Sequence, residues 1–287
     1  MKRFFIIGIT SLTTLSSSAL AQTPVERGSH LVNTIGACSN CHTPRLPPPS
    51  AGPNLELRFS GGFQTFNEPF FTVKGSNLTP DRDTGIGAWS DADLKRAITE
   101  GLRPNGVPLA MVMPYNFLRV LTPSDLDAVV AYLRSVPAIR NEVQPPVYKA
   151  AMPAPAVPGA EQPLTPESLK DPIKHGLYLA SLAHCMACHS RTSEEVPADF
   201  KNAWGKGGRV FKGPFGESTV ANISSHKVKG LGAWTDAEIK RALTEGLSKD
   251  GRRLKPPMID YVAYYKNWSN SEIDALIAWV RTIPPIE

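Results

Sequence analysis

Beyond its first 21 residues the sequence has no apolar stretch approaching the roughly 20 residues needed to cross a bilayer. It has no run of basic residues and no interleaving of basic with aromatic residues, so nothing points to nucleic acid. Neither sign of charge dominates: 31 Lys plus Arg stand against 26 Asp plus Glu, a formal +5. Cysteine is scarce, with four residues in 287, and no βαβ pattern surrounds any of them. The one biased segment is the start, MKRFFIIGITSLTTLSSSALAQ. There Lys2 and Arg3 form a basic region, Phe4 to Leu12 a short apolar core and Ala19-Leu20-Ala21 a cleavage signal, the pattern of a secretory signal peptide over residues 1–21. The expectation is export to a bacterial periplasm as a soluble chain. It keeps no membrane span of its own, has room for peripheral association, and falls to a formal +3 once Lys2 and Arg3 are lost.

What is present is a repeat. IGAWSDADLKRAITEG (86–101) matches LGAWTDAEIKRALTEG (231–246) at an offset of 145, as does Asn77-Leu78-Thr79 with Asn222-Ile223-Ser224. DLDAVVAYLRSVP (125–137) matches EIDALIAWVRTIP (272–284) at an offset of 147. The reading is two homologous units, 22–143 and 173–287, joined by a proline-rich linker, 144–172, that is extended and wraps one unit. Ser90 with Asp93 and Thr235 with Glu238 have capping-box spacing, and Gly101 and Gly246 can close the helices they open. Thr122-Pro123 and Ser269 with Glu272 start a last helix in each unit. Its apolar face is Leu126, Val129, Val130 and Leu133 in one copy and Ile273, Leu276, Ile277 and Val280 in the other. A further helix leads in from Val25 and from Ile173, and long glycine- and proline-rich loops cover 43–76 and 190–221. Such short helices with such long loops bury little apolar surface alone, so each unit is expected to be filled at its centre.

The filling follows from the cysteines. ACSNCHT (37–43) and HCMACHS (184–190) place all four in two Cys-x-x-Cys-His motifs, again 147 apart. A thioredoxin-type pair belongs beside a βαβ unit and leaves the histidine unexplained. A structural zinc site pairs two such knuckles or adds histidines at short spacing, which neither half supplies. A disulfide within so short a loop is strained. Covalent haem uses every residue: Cys38 and Cys41, and Cys185 and Cys188, add to the two vinyl groups, while His42 and His189 present imidazole to iron. The repeat also offers the opposite iron ligand. Met113 and Met258 correspond at an offset of 145, whereas Met111, the first-half competitor, corresponds to Pro256. Methionine–histidine ligation raises the reduction potential.

Trp89 and Trp234 recur in register, as core residues or as indole donors to a haem propionate. Asn77 and Asn222 either steady the loop over the haem edge or simply serve their turns. Arg96 and Arg241 read as solvated helix residues. His30, His175, His184 and His226 lie outside the motifs; His184, next to Cys185, reads as a surface histidine rather than one that senses the haem. No histidine recurs at the methionine register.

"CSNCHT", "SNLTPDRDTGIGAWSDADLKRAITEG", "MPY" and "DLDAVVAYLRSVP" resemble the class I-type cytochrome c domains in cytochrome subunits of bacterial periplasmic alcohol, gluconate, aldehyde and nicotinate dehydrogenases. Members often carry three haems and many end in a membrane anchor; this sequence has two motifs and stops at Ile286-Glu287 without an anchor. The resemblance implies an all-α fold of two cytochrome c domains, each wrapped around one covalent haem c. It also implies a non-enzymatic electron carrier, taking electrons from a periplasmic dehydrogenase and passing them to a cytochrome or oxidase. The rival is a di-haem peroxidase or other haem enzyme acting on a small substrate, which needs an open iron that two matched methionines would close.

Overall fold

Each long helix starts where the sequence supplies a cap. In the computed structural model, which describes residues 22–47, 52–62, 65–150, 155–193 and 196–287, Thr23 and Glu26 form a capping box that opens α1 (Pro24–His30). Ser90 with Asp93 opens α3 (Asp91–Glu100), and Thr235 with Glu238 opens α8 (Asp236–Glu245); these two end on Gly101 and Gly246 at φ 71° and 72°. Thr122 caps α5 (Pro123–Ser135), Asp171 caps α6 (Pro172–Leu182), and Ser269 with Glu272 caps α10 (Asn270–Val280). The short helices are α2 (Ser39–His42), α4 (Tyr115–Leu118), α7 (Cys185–His189) and α9 (Met258–Tyr265). The proposed signal peptide lies outside the described residues.

The expected all-α fold needs correcting, for the structure is mostly helical but carries two small sheets. β1 (Thr65–Glu68), β2 (Phe71–Lys74) and β3 (Val147–Tyr148) form an antiparallel sheet with β2 central, and β4 (Val210–Gly213) pairs with β5 (Gly216–Thr219). Both lie largely in segments expected to be loops, where alternating residues at a tight turn give a hairpin no competing helix signal. β3 comes from the segment read as an extended linker. That segment is stitched to the first half: Val157 and Ala160 are buried in the main core, and the Leu164 N–H donates to the Val120 carbonyl.

Two helix pairs make the frame, α1 against α5 and α6 against α10. Each crosses at a glycine. A Cβ on Gly28 would fall 1.9 Å from the Ala128 carbonyl oxygen, and one on Gly176 would fall 2.0 Å from that of Ala275. These glycines differ by 148 in number while Ala128 and Ala275 differ by 147, so the first half has one residue more between glycine and motif. The π-helical turn Leu31–Ile35, continuous with α1, takes up that residue; α6 has no such turn.

A single apolar cluster runs through both halves, from Leu31, Val32 and Ile35 to Tyr178, Leu179, Ile273, Leu276 and Ile283. Phe117 of α4 meets Phe200 edge-on at 5.5 Å, and Phe200 continues through Trp204 to Trp279. Polar groups cross the same seam with pseudo-twofold symmetry. His30 Nε2 lies 2.7 Å from Glu272 Oε1, and the Tyr178 hydroxyl donates to Asp125 Oδ2 at 2.5 Å. His30 corresponds to Tyr178 and Asp125 to Glu272, so each half presents one helix residue to the carboxylate of the other. Arg27 completes the set with a bidentate pair to Asp125, both bonds 2.8 Å. The two units read from the repeat therefore share one core.

Candidate haem-attachment sites

The two Cys-x-x-Cys-His motifs are built alike. The residue before each first cysteine is left-handed although neither is glycine: Ala37 has φ 47° and His184 φ 44°. That turn breaks the incoming helix, so α2 and α7 start in a new direction with the cysteines and histidine on a single turn. Each histidine is then fixed. His42 Nδ1 donates to the Ser76 carbonyl and His189 Nδ1 to the Ala221 carbonyl, both at 2.8 Å. A carbonyl can only accept, so the proton sits on Nδ1 and Nε2 keeps a free lone pair for a metal. Burial lowers both imidazole pKa values, with the carbonyl contact opposing. Neutral imidazole is the form a metal needs.

A glycine braces each histidine peptide. The Gly61 N–H donates to the His42 carbonyl at 2.8 Å, and the Gly207 N–H donates to that of His189 at 2.7 Å. Gly61 has φ 79° and Gly207 φ 67°, and a Cβ on either would meet backbone oxygen within 2.6 Å, on Gly75 or Ala221. Only glycine serves there, on both conformation and space.

The four thiols are free. Each is half-buried, yet burial dominates its chemistry: Cys38 and Cys185 are pushed up to about 12, Cys41 to about 11, and Cys188 upward. Thiols held neutral in apolar surroundings are poor disulfide nucleophiles. Among the described residues no three of His, Cys, Asp or Glu converge on one ion. The donor set fits haem c: two cysteines for its vinyl groups and one imidazole whose outer nitrogen is already engaged.

The methionines stand after matched loops. The Leu109 N–H donates to the Gly101 carbonyl at 2.6 Å, and the Leu254 N–H to that of Gly246 at 2.8 Å. Those closures carry the chain to Met113 just before α4 and to Met258 at the first position of α9. Met258 packs against the main core, as do Cys38 and Cys185. Met111 and Met113 are both half-buried in the turn ahead of α4. Trp89 and Trp234 pack on the core through their rings.

Several residues behave differently from the sequence reading. His184 is no surface histidine: burial pushes it down to about 4, and its ring meets Tyr261 edge-on at 6.1 Å. Arg96 and Arg241 are only part-solvated, since the Nε of each is buried without a partner, while Arg241 Nη2 donates to the Ser248 and Lys249 carbonyls. Asn77 and Asn222 pin their loops to distant chain, Nδ2 donating to the Ile139 and Ile286 carbonyls at 2.8 and 2.7 Å. Sequence reasoning passed over Arg134 and Arg281, although both sit in the quoted repeat. Arg134 donates to the Ile86 and Trp89 carbonyls and to Asp91; Arg281 donates to the Leu231 and Trp234 carbonyls and to Asp236. The last helix of each half is thereby clamped to the tryptophan turn.

The paired Cys-x-x-Cys-His turns on a helical frame thus offer two sites of matching geometry that a covalent haem would fit. Residues 173–284 match the family model described as cytochrome c. Over most of its length the chain is similar to the cytochrome c subunit of the quinone-dependent alcohol dehydrogenase of Gluconacetobacter polyoxogenes, with 27% identity over 95% of this chain and 60% of that one. It is 26% identical to the gluconate 2-dehydrogenase cytochrome c subunit of Pantoea cypripedii, over 97% of this chain and 64% of that subunit. A diheme cytochrome c-type protein of Cereibacter sphaeroides is 27% identical over 88% of this chain and 83% of its own length. The chain thus spans about 60% of the length of the alcohol dehydrogenase subunit it matches. Among the described residues no helix is long and apolar enough to cross a membrane.

Proposed function

We propose that this chain is a two-haem cytochrome c of the bacterial periplasm. It takes electrons from a dehydrogenase and hands them to a downstream cytochrome or terminal oxidase, without catalysing bond chemistry itself. The observation that carries the reading is the duplicated histidine clamp: in both halves the Nδ1 proton is engaged by a backbone carbonyl. A single motif could be incidental, but two sharing a left-handed turn, a glycine brace and a backbone-carbonyl partner for the imidazole repeat a binding function.

The roles are assigned residue by residue. Cys38 and Cys41 hold one haem and Cys185 and Cys188 the other; His42 with Met113, and His189 with Met258, are the iron ligands. Trp89 and Trp234 donate their indole N–H groups to propionates. Haem would supply a one-electron iron couple there, with His42, Met113, His189 and Met258 as the residues that would hold the irons. Residues 22–143 and 173–287 are the two cytochrome c domains, with 144–172 between them. The similarity to dehydrogenase cytochrome c subunits and to a diheme cytochrome c supports both the carrier role and a dehydrogenase as donor.

The test is expression with a haem-maturation system, followed by intact mass and visible spectra. The expected product is the chain from Gln22 plus two haems, both low-spin, with little peroxide turnover. A bare or singly loaded polypeptide, or a high-spin haem with fast peroxide turnover, would refute the reading.

A further inference from the structure

α9 carries a run of aromatic residues that the internal repeat does not account for. Tyr261, Tyr264 and Tyr265 stand where the first half, at an offset of 145, has Asn116, Arg119 and Val120, and α9 is eight residues long where α4 is four. A cytochrome half can evidently close its core without these rings. Their contacts reach the motifs of both halves instead. The Tyr261 ring lies 6.1 Å from that of His184, the residue before Cys185. Tyr261 and Tyr264 are 6.3 Å apart, and the Tyr264 hydroxyl is 3.3 Å from Ser39 Oγ, between Cys38 and Cys41. Tyr265 stacks on Tyr261 at 5.7 Å and meets Trp268 at 5.2 Å, and Trp268 Nε1 donates to the Thr34 carbonyl. One short helix therefore touches both attachment turns through contiguous π systems and one hydroxyl pair.

We propose that the aromatic face of α9 is the electronic bridge between the two haem-attachment turns, with Tyr261 and Tyr264 as its connecting residues. The proposal rests on the two-haem reading above. One electron leaves a ferrous iron, which becomes ferric, and arrives at the other iron, which goes from ferric to ferrous. The tyrosines keep their protons and are neither oxidised nor reduced; they shorten the gap that the electron crosses through saturated chain. Burial holds the Tyr261 hydroxyl well above its ordinary pKa, which keeps the ring neutral.

The experiment uses the full haem-loaded chain. Intact mass counts the haems, a redox titration gives both potentials, and proton NMR of partly reduced samples reads electron exchange from the haem methyl signals. Wild type should show two haems and methyl signals averaged by fast intramolecular exchange. Tyr261→Leu should keep both haems and both potentials but lose the averaging, giving separate sets for each singly reduced form. Tyr261→Phe, which retains the ring, should restore it. Tyr264 is only half-buried, so Tyr264→Leu decides the matter if Tyr261→Leu does not load two haems. Fast exchange in either loaded leucine variant, or in Tyr261→Phe as slow as in Tyr261→Leu, overturns the bridge alone. Slow exchange in a two-haem wild type also overturns the bridge alone, whereas fewer than two haems in wild type overturns the bridge and the functional reading together.

Discussion

Gly176→Ala sets helix propensity against packing, and the two predict opposite signs. Gly176 lies inside α6, where replacing glycine by alanine should stabilise the helix by about 1 kcal/mol. The alanine methyl, however, would stand 2.0 Å from the Ala275 carbonyl oxygen and 2.6 Å from Trp279 Cβ. Ordinary C···O approach is about 3.3–3.6 Å. The clash is with α10 backbone, which cannot swing aside as a side chain would, so the helices must separate by more than about 1 Å. Overpacking of this kind costs about 1–3 kcal/mol and occasionally more, and contact with backbone belongs at the upper end. Net destabilisation should be about 2 kcal/mol, a fall in Tm of about 4–8 °C. Gly28→Ala, whose Cβ would lie 1.9 Å from the Ala128 carbonyl oxygen, should behave alike. The assay is thermal unfolding of the haem-loaded protein followed by far-UV circular dichroism. A rise in Tm in either variant would show that the crossings yield easily and that the glycines are not what sets them.

The seam between the halves predicts acid sensitivity. Burial alone would raise Glu272 above its ordinary 4.5, but hydrogen bonds from His30 and from the Ser269 backbone hold it down to about 2. A folded-state value below the unfolded one gives stability that is full above about pH 4.5 and lost as pH falls toward 2. The loss is about 3 kcal/mol before screening and about 2 kcal/mol after it. Glu272→Gln should flatten that acid limb in urea titrations run at several pH values; an unchanged limb would count against the pair. Met258→Ala and Met113→Ala should each turn one haem high-spin and lower its potential, while Met111→Ala should leave spectra and potentials as they were. If Met111→Ala opens a haem instead, the first-half ligand is misassigned. Arg281→Ala should cost about 1–3 kcal/mol in urea unfolding by stranding the Leu231 and Trp234 carbonyls. Arg281→Lys should recover only part, since a single ammonium cannot match the guanidinium fork; full recovery would mean that charge, not geometry, makes the clamp.

Where interactions are local, the sequence by itself decided the outcome. The capping boxes at Ser90, Thr235 and Ser269, the left-handed glycines 101 and 246, and the apolar faces of α5 and α10 all formed as read, because each depends on neighbours within a turn or two. The proposed attachment residues stood out for a local reason as well, since two thiols and an imidazole sit within one Cys-x-x-Cys-His turn, and repetition set Met113 and Met258 apart from the other methionines. Partners brought from far along the chain were not legible. Any residue can lend the carbonyl that holds His42 or His189, so Ser76 and Ala221 carried no signal of their own. The one-residue excess ahead of Cys38 was countable but had no meaning until the glycine crossings fixed a register and the π turn absorbed it. The hairpins were hidden because short strands draw their stability from pairing rather than composition. Most of all, tertiary structure decided that the two written copies are not two separate bodies. The repeat conveyed likeness, whereas contact depends on which faces meet in space: α6 packs against α4 and the π-helical turn Leu31–Ile35 of the first half, with Glu272 and Asp125 meeting His30 and Tyr178 across the join.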